Sequence, residues 1–246
     1  MRKAIAVLGL FSTLLPGLVQ ADELDDFTDK LLQIAPSKCY DEASTISGNH
    51  IRNVLPDMAL EGVRQAKKFD TAWGPGNENY RQVHDVVEMA YQDEELSNGP
   101  LVNISLRSLV RTAASKWSAA ERADYLAFLK QKGGRLYWDS MVDGALCAGV
   151  IEAVTVKLPR LLPPGEEKKR VEALKDGANF RIMSMDMQAS LLPKDQRAKM
   201  NKLGPALLQS LQDAFGAANL AYGPRAAKAL QAAAPQLRNI LAEYKQ

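Results

Sequence analysis

Only two histidines and two cysteines occur in 246 residues, and that scarcity closes off much chemistry. A histidine-rich zinc centre cannot be assembled from this chain. There is no Gly-x-Ser-x-Gly elbow, no Gly-x-x-x-x-Gly-Lys-Ser/Thr phosphate loop and no Gly-x-Gly-x-x-Gly turn, so serine hydrolysis and nucleotide cofactors have no foothold. No motif calls for a cofactor of any kind. The Gly74-Pro75-Gly76-Asn77 stretch reads as a turn. A membrane-spanning run is missing too: the apolar stretch Ala4 to Leu15 falls short of the roughly 20 residues a bilayer needs.

What that stretch does resemble is the core of a secretory leader. Arg2 and Lys3 precede it, Pro16-Gly17 breaks it, and Val19-Gln20-Ala21 places small residues before a cleavage point, so residues 1–21 read as a signal peptide. The next most hydrophobic segment, Met141 to Leu158, is interrupted by Asp143, Glu152 and Lys157 and reads as a buried helix. The expected mature protein, residues 22–246, is therefore soluble and periplasmic or secreted, with no transmembrane segment.

An excess of either charge is also lacking. The chain has 31 basic and 29 acidic residues, and loss of Arg2 and Lys3 with the leader brings the two to 29 each. Binders of nucleic acid or anionic lipid carry a clustered basic excess, so both are set aside as partners.

Two cysteines in an oxidising compartment point to one disulfide, Cys39 to Cys147. Closing so long a loop stabilises a fold by roughly 4–5 kcal/mol on chain-entropy grounds. The alternative is a pair of buried thiols packing as small hydrophobes.

Apolar spacing is helical almost throughout, and no segment alternates as a half-buried strand does. The expected fold is all-α: an irregular bundle of about 7–9 helices joined by short Pro/Gly turns. Leu24, Phe27, Leu31 and Ile34 mark the buried stripe of a first helix that Pro36 ends. A second runs from about Ser47 to Phe69, kinked or restarted at Pro56. Further helices fall near Asn79–Leu96, Leu101–Lys116, Arg135–Leu158, Glu166–Leu192, Lys194–Leu220 and Pro224–Tyr244, with breaks expected at Gly204-Pro205 and Pro235. The segment from Arg135 is apolar on most sides and belongs at the centre of the bundle. Without a long polar linker, residues 22–246 form a single domain; the proline-rich stretch 159–165 is the one place a subdivision would fall.

The clearest local signal is Ser118-Ala-Ala-Glu121, a capping box preceded by Trp117 as a hydrophobic staple. Tyr125, Phe128 and Leu129 continue as the core face of that helix, and Gly133-Gly134 ends or bends it. From Trp117 through Phe128 to Gly134 and Tyr137, the stretch resembles the repeated element of an exported bacterial family of unknown function, DUF2059. That family's Ser-Pro pair is replaced here by Gln131-Lys132. The resemblance implies an exported helical protein and carries no activity, partner or site residue with it.

Three constellations could carry chemistry. His84 and Glu88 lie four apart on a helix with Asp85 alongside, so they can face one cation; the bland alternative is an ordinary surface pair. Asp139 and Asp143, one turn apart on an apolar helix, would share a raised proton affinity if buried together and serve as general acid and base. Otherwise they are a solvated strip, or are neutralised by arginines such as Arg107 and Arg111. Together with His84 and Glu88 they define a hydrolase reading. Met183, Met185 and Met187 supply soft thioethers suited to Cu(I), although on a helix Met185 points away from the other two, and methionine is more often core filler.

None of these outweighs the simplest reading, an exported non-catalytic binding or protein-interaction module of the bacterial cell envelope, whose partner is an envelope protein or an effector. A copper-binding protein and a hydrolase are the alternatives.

Overall fold

A computed structural model describes residues 15–70, 72–91, 105–152, 154–155 and 163–244. These residues contain nine α-helices and no strand. In chain order they are α1 (Leu15–Ile34), α2 (Lys38–Lys67), α3 (Glu78–Tyr91), α4 (Leu106–Ala114), α5 (Ala119–Leu129), α6 (Lys132–Tyr137), α7 (Asp143–Glu152), α8 (Gly165–Ser190) and α9 (Lys194–Glu243), with a π-helical turn, Trp138–Val142, between α6 and α7. None of these helices is long and apolar enough to cross a membrane. The ends of the expected helices at 92–96, 101–104 and 156–158, and most of the 159–165 boundary, lie outside the described residues.

Local chemistry accounts for the start of several helices. Ser105 caps α4 by accepting the Ser108 N–H at 3.1 Å, and one face of α4 buries Leu106, Leu109, Val110 and Ala113. The capping box of α5 forms in both directions: Glu121 N–H donates to Ser118 Oγ at 3.2 Å, and Ser118 N–H donates to Glu121 Oε2 at 2.7 Å. The Ser118 N–H and the Ser118 hydroxyl, which donates to the same Oε2 at 2.8 Å, hold the Glu121 carboxyl below its usual proton affinity. Trp117 does fold back onto α5, with its ring 4.5 Å from that of Tyr125. At Gly134 a Cβ would stand 2.0 Å from the Phe128 carbonyl oxygen, so the α5–α6 turn closes on bare backbone.

Two hydrophobic cores result. The larger joins α1, α2 and α4–α7 to α8 and the first half of α9, with Leu31, Tyr40, Leu129, Trp138, Cys147, Ile151, Leu207 and Leu211 all fully or almost fully buried. The segment after Pro164 thus shares its core with the first half of the chain through Val171, Ala178, Leu207 and Leu211. The smaller core gathers Leu60, Trp73, Val83 and Val87 with Leu230, Leu237, Ile240 and Leu241. Among the described residues, α2 and α9 are the helices that contribute to both.

Two helices exceed the lengths expected of them. α2 begins nine residues before Ser47 and runs through Pro56, and α9 continues through Pro205, Pro224 and Pro235 where breaks were expected. An interior proline removes a hydrogen bond and costs a helix about 3 kcal/mol, but α9 is held on both sides of Pro224, by Leu207, Leu211 and Ala214 in one core and by Leu230 and Leu237 in the other. Tertiary packing offsets the local preference. At Gly204 a Cβ would stand 2.5 Å from the Tyr137 ring, which shows how closely α9 approaches α6.

Candidate functional site

The two cysteines meet as expected. Cys39 near the start of α2 is bridged to Cys147 on α7, with Cα atoms 5.6 Å apart, and both residues are buried. One helical turn before Cys147, Asp143 is turned toward the same end of α2. Its Oδ1 accepts the Tyr40 N–H at 2.9 Å and its Oδ2 accepts the Cys39 N–H at 3.3 Å. These amides belong to the first turn of α2, where no intrahelical acceptor exists. Ser37, at the N-cap position, makes no side-chain cap of its own, so Asp143 caps the helix from across the core.

That role commits Asp143 to the backbone of α2. Each of its oxygens already accepts a backbone N–H, and Arg181 Nη2 adds a contact at 3.4 Å to Oδ2. Burial pushes its proton affinity above the usual value, against the opposing pull of the Tyr40 amide, Arg181 and the Cys39 amide. Asp139 lies beside it on the exposed rim of a cavity of about 300 Å³ lined by Pro36, Lys38, Arg135, Asp139, Asp143 and Arg181, and its charge adds to the rise at Asp143. The Asp139 carboxyl is also raised by desolvation, while Arg135, Arg181 and Lys38 pull it down. The arginines that counter this pair are therefore Arg181, which acts on both carboxyls, and Arg135, which acts on Asp139. Arg107 and Arg111 are engaged elsewhere, on Asp25 and Asp29 of α1.

The four residues of the hydrolase reading do not converge. His84 lies on α3 with Nε2 3.8 Å from Asp57 of α2, whereas Asp143 binds α2 at Tyr40. Seventeen residues of helix separate Tyr40 from Asp57, about 25 Å at 1.5 Å per residue. No single substrate group reaches both.

The methionine trio divides in the same way. α8 is continuous from Gly165 to Ser190, so Met183 and Met187 share an outer face, 83% and 68% exposed, while Met185 packs against the core. Three thioethers do not meet around one ion. The core-filler reading holds for Met185 and fails for the other two. Phe180 and Leu191 join them, 72% and 83% exposed. The spacing 180, 183, 187, 191 places all four along one stripe of helix and the turn that follows it.

No family model, curated protein or solved structure matches this chain.

Two features went unread in the sequence. The apolar stripe of α8 was passed over because Phe180, Met183 and Leu191 have the composition of a buried face, and only the packing shows that α7 and α2 cover the opposite side. A second cavity, about 380 Å³, is lined by Ser37, Tyr40, Ser44, Thr45 and Ser105 with Asp41 and Arg107. Within it the Ser37 hydroxyl is buried with no hydrogen-bond partner among the described residues. No signal in the sequence marks that serine.

Proposed function

We propose that this protein is an exported, non-catalytic interaction module of the bacterial cell envelope that docks through the apolar ridge of α8. The observation that carries the reading is the exposure of Phe180, Met183, Met187 and Leu191 on one stripe. Water-exposed apolar side chains are ordinary when scattered, whereas a contiguous patch marks a contact surface. Methionine suits such a surface because its flexible thioether chain adapts to different partners. The buried disulfide fits an oxidising compartment, in keeping with the leader-like residues 1–21.

The occupant we favour is an amphipathic helix of another envelope protein. Side chains spaced three and four apart form a ridge that packs into the groove of a second helix. Four side chains exposed to this degree offer on the order of 500 Å², within the range of functional patches on monomers. Permanent dimers bury roughly 2,000 Å² or more in total, so the ridge is better suited to a transient contact with a different chain than to obligate self-association.

A photo-crosslinking residue at Met187, introduced into the full chain in its native envelope, tests this. The expected product is a discrete adduct with a second protein that disappears when Phe180→Glu and Leu191→Glu are added. An adduct with another copy of the chain would replace the proposed partner with a dimer. An adduct indifferent to those substitutions, or none, would remove the ridge as a docking surface.

A further inference from the structure

His84 sits among three carboxylates drawn from two helices. On α3, its Nδ1 lies 3.8 Å from Asp85 Oδ1 and 3.7 Å from Glu88 Oε2, and one ligand atom from each of the three residues falls within 4.8 Å of the others. On the opposite side of the ring, Nε2 lies 3.8 Å from Asp57 Oδ1 of α2. Asp57 is in turn held by the Tyr80 hydroxyl, which donates to it at 3.2 Å.

These separations are too long for hydrogen bonds, which run at about 2.7–3.2 Å. They are close to what a shared ion imposes. A tetrahedral zinc with ligand bonds of about 2.0–2.2 Å sets its ligand atoms roughly 3.3–3.6 Å apart; the two imidazole–carboxylate separations exceed that by a few tenths of an ångström, and the remaining edge, within 4.8 Å, closes by rotation of the exposed carboxylates. The charge balance leads to the same conclusion. Asp57 and Asp85 have His84 as their sole ion-pair partner among the described residues, so one imidazole serves both and this pair of carboxylates carries surplus negative charge. A dication held by a neutral imidazole and two carboxylates is locally neutral.

We propose that His84, Asp85 and Glu88 form a zinc site, with His84 coordinating through Nδ1 and Asp57, 3.8 Å behind Nε2, closing to accept the Nε2–H when zinc is bound. Imidazole with carboxylates selects zinc-like dications, whereas calcium and magnesium prefer all-oxygen shells. A carboxylate on the second ring nitrogen is the usual outer partner of a metal-bound histidine, since it fixes the tautomer and the ring plane. Asp57 comes from α2, so zinc on α3 tightens the α2–α3 pairing that closes the smaller core. The imidazole side chain is 29% exposed, which leaves the remaining coordination position open to water or to a ligand from a partner.

The test uses the full, disulfide-intact chain and zinc alone. Isothermal titration at neutral pH, with zinc counted by elemental analysis after gel filtration, should give one zinc per chain and a raised melting temperature. His84→Ala should lose both, and His50→Ala neither. Asp57→Asn should keep the stoichiometry with affinity weakened 10–100-fold, and magnesium should shift nothing. Circular dichroism of each zinc-free variant separates lost binding from lost folding. Zinc retained by His84→Ala, or none held by the wild type, would overturn the site; unchanged affinity in Asp57→Asn would remove Asp57 from it. Retention of zinc by a Met183→Leu/Met187→Leu double variant is expected, and its loss there would move the site to α8.

Discussion

Asp143 accepts the backbone N–H of Tyr40 at 2.9 Å across 103 residues of chain. Together with the Cys39–Cys147 bridge one turn away, this bond ties the start of α2 to α7 by one covalent and two hydrogen-bonded links within two helical turns.

Replacing Asp143 with alanine leaves two amides of the first turn of α2 unpaired in a buried setting and deprives Arg181 of its partner. Unpaired buried donors cost about 1–3 kcal/mol each, and a lost cap about 1 kcal/mol. Asp143→Ala is expected to lower stability by about 2–4 kcal/mol in urea unfolding with the disulfide intact. Asp143→Asn, which keeps one acceptor, should lose less.

Breaking the bridge with Cys39→Ser/Cys147→Ser should lower stability by up to about 4–5 kcal/mol, through the larger conformational freedom of the unfolded chain. Because Cys147 and Asp143 clamp the same helix end, the two losses should not add. A double-mutant cycle by denaturant melts should give a coupling of about 0.5–3 kcal/mol.

Asp143 also sets a pH dependence. Its native proton affinity lies above the ordinary carboxyl value because burial penalises the charge, so between the unfolded and native values the folded state holds more proton than the unfolded. Stability from this group is fully present below the unfolded value of 3.8 and is lost as pH rises through the native one. Asp41 and Asp139 are raised by burial as well and act in the same direction. The difference in unfolding free energy between wild type and Asp143→Asn should therefore shrink on going from pH 3 toward neutrality. A difference that grew instead would show that the Tyr40, Cys39 and Arg181 donors outweigh desolvation.

Glycines on α9 should respond in opposite ways to alanine. At Gly204 the new Cβ would meet the Tyr137 ring at 2.5 Å, and overpacking of this kind costs about 1–3 kcal/mol. At Gly216 nothing lies within 4 Å, so Gly216→Ala should be neutral or stabilise by up to about 1 kcal/mol, as helix propensity alone dictates. Thermal melts of the two variants provide the comparison.

Methionine oxidation should follow the packing. Met183, Met187 and Met89 are well exposed, whereas Met200 is buried and Met185 is packed against the core. Brief peroxide treatment followed by peptide mass spectrometry should find sulfoxide at the first three well before the last two.

Much of the architecture was legible because its causes are local. The capping box at Ser118 and Glu121 lies within four residues, and it formed. The stripe Leu24, Phe27, Leu31 is a single helix face, and it is buried. The buried centre from Arg135 onward was visible in a segment apolar on most sides. The start of α2 was missed because its cap is supplied by Asp143 rather than by a neighbouring residue. The continuity of α9 was missed because each proline reads locally as a break, while the packing that carries the helix past it comes from α3 and α6.

By itself the sequence determined the helical class, the pairing of the two cysteines and the faces able to be buried, since these follow from side-chain spacing and from there being two cysteines alone. Only the tertiary structure decided which apolar faces stay uncovered and which charged groups meet. Met183 and Met185 have the same side chain, yet the larger core covers Met185 and leaves Met183 in water. His84 is separated from Asp57 by 27 positions and reaches it only because α3 folds back along α2. Exposure and proximity are properties of the packed chain, set by which neighbour each helix face finds.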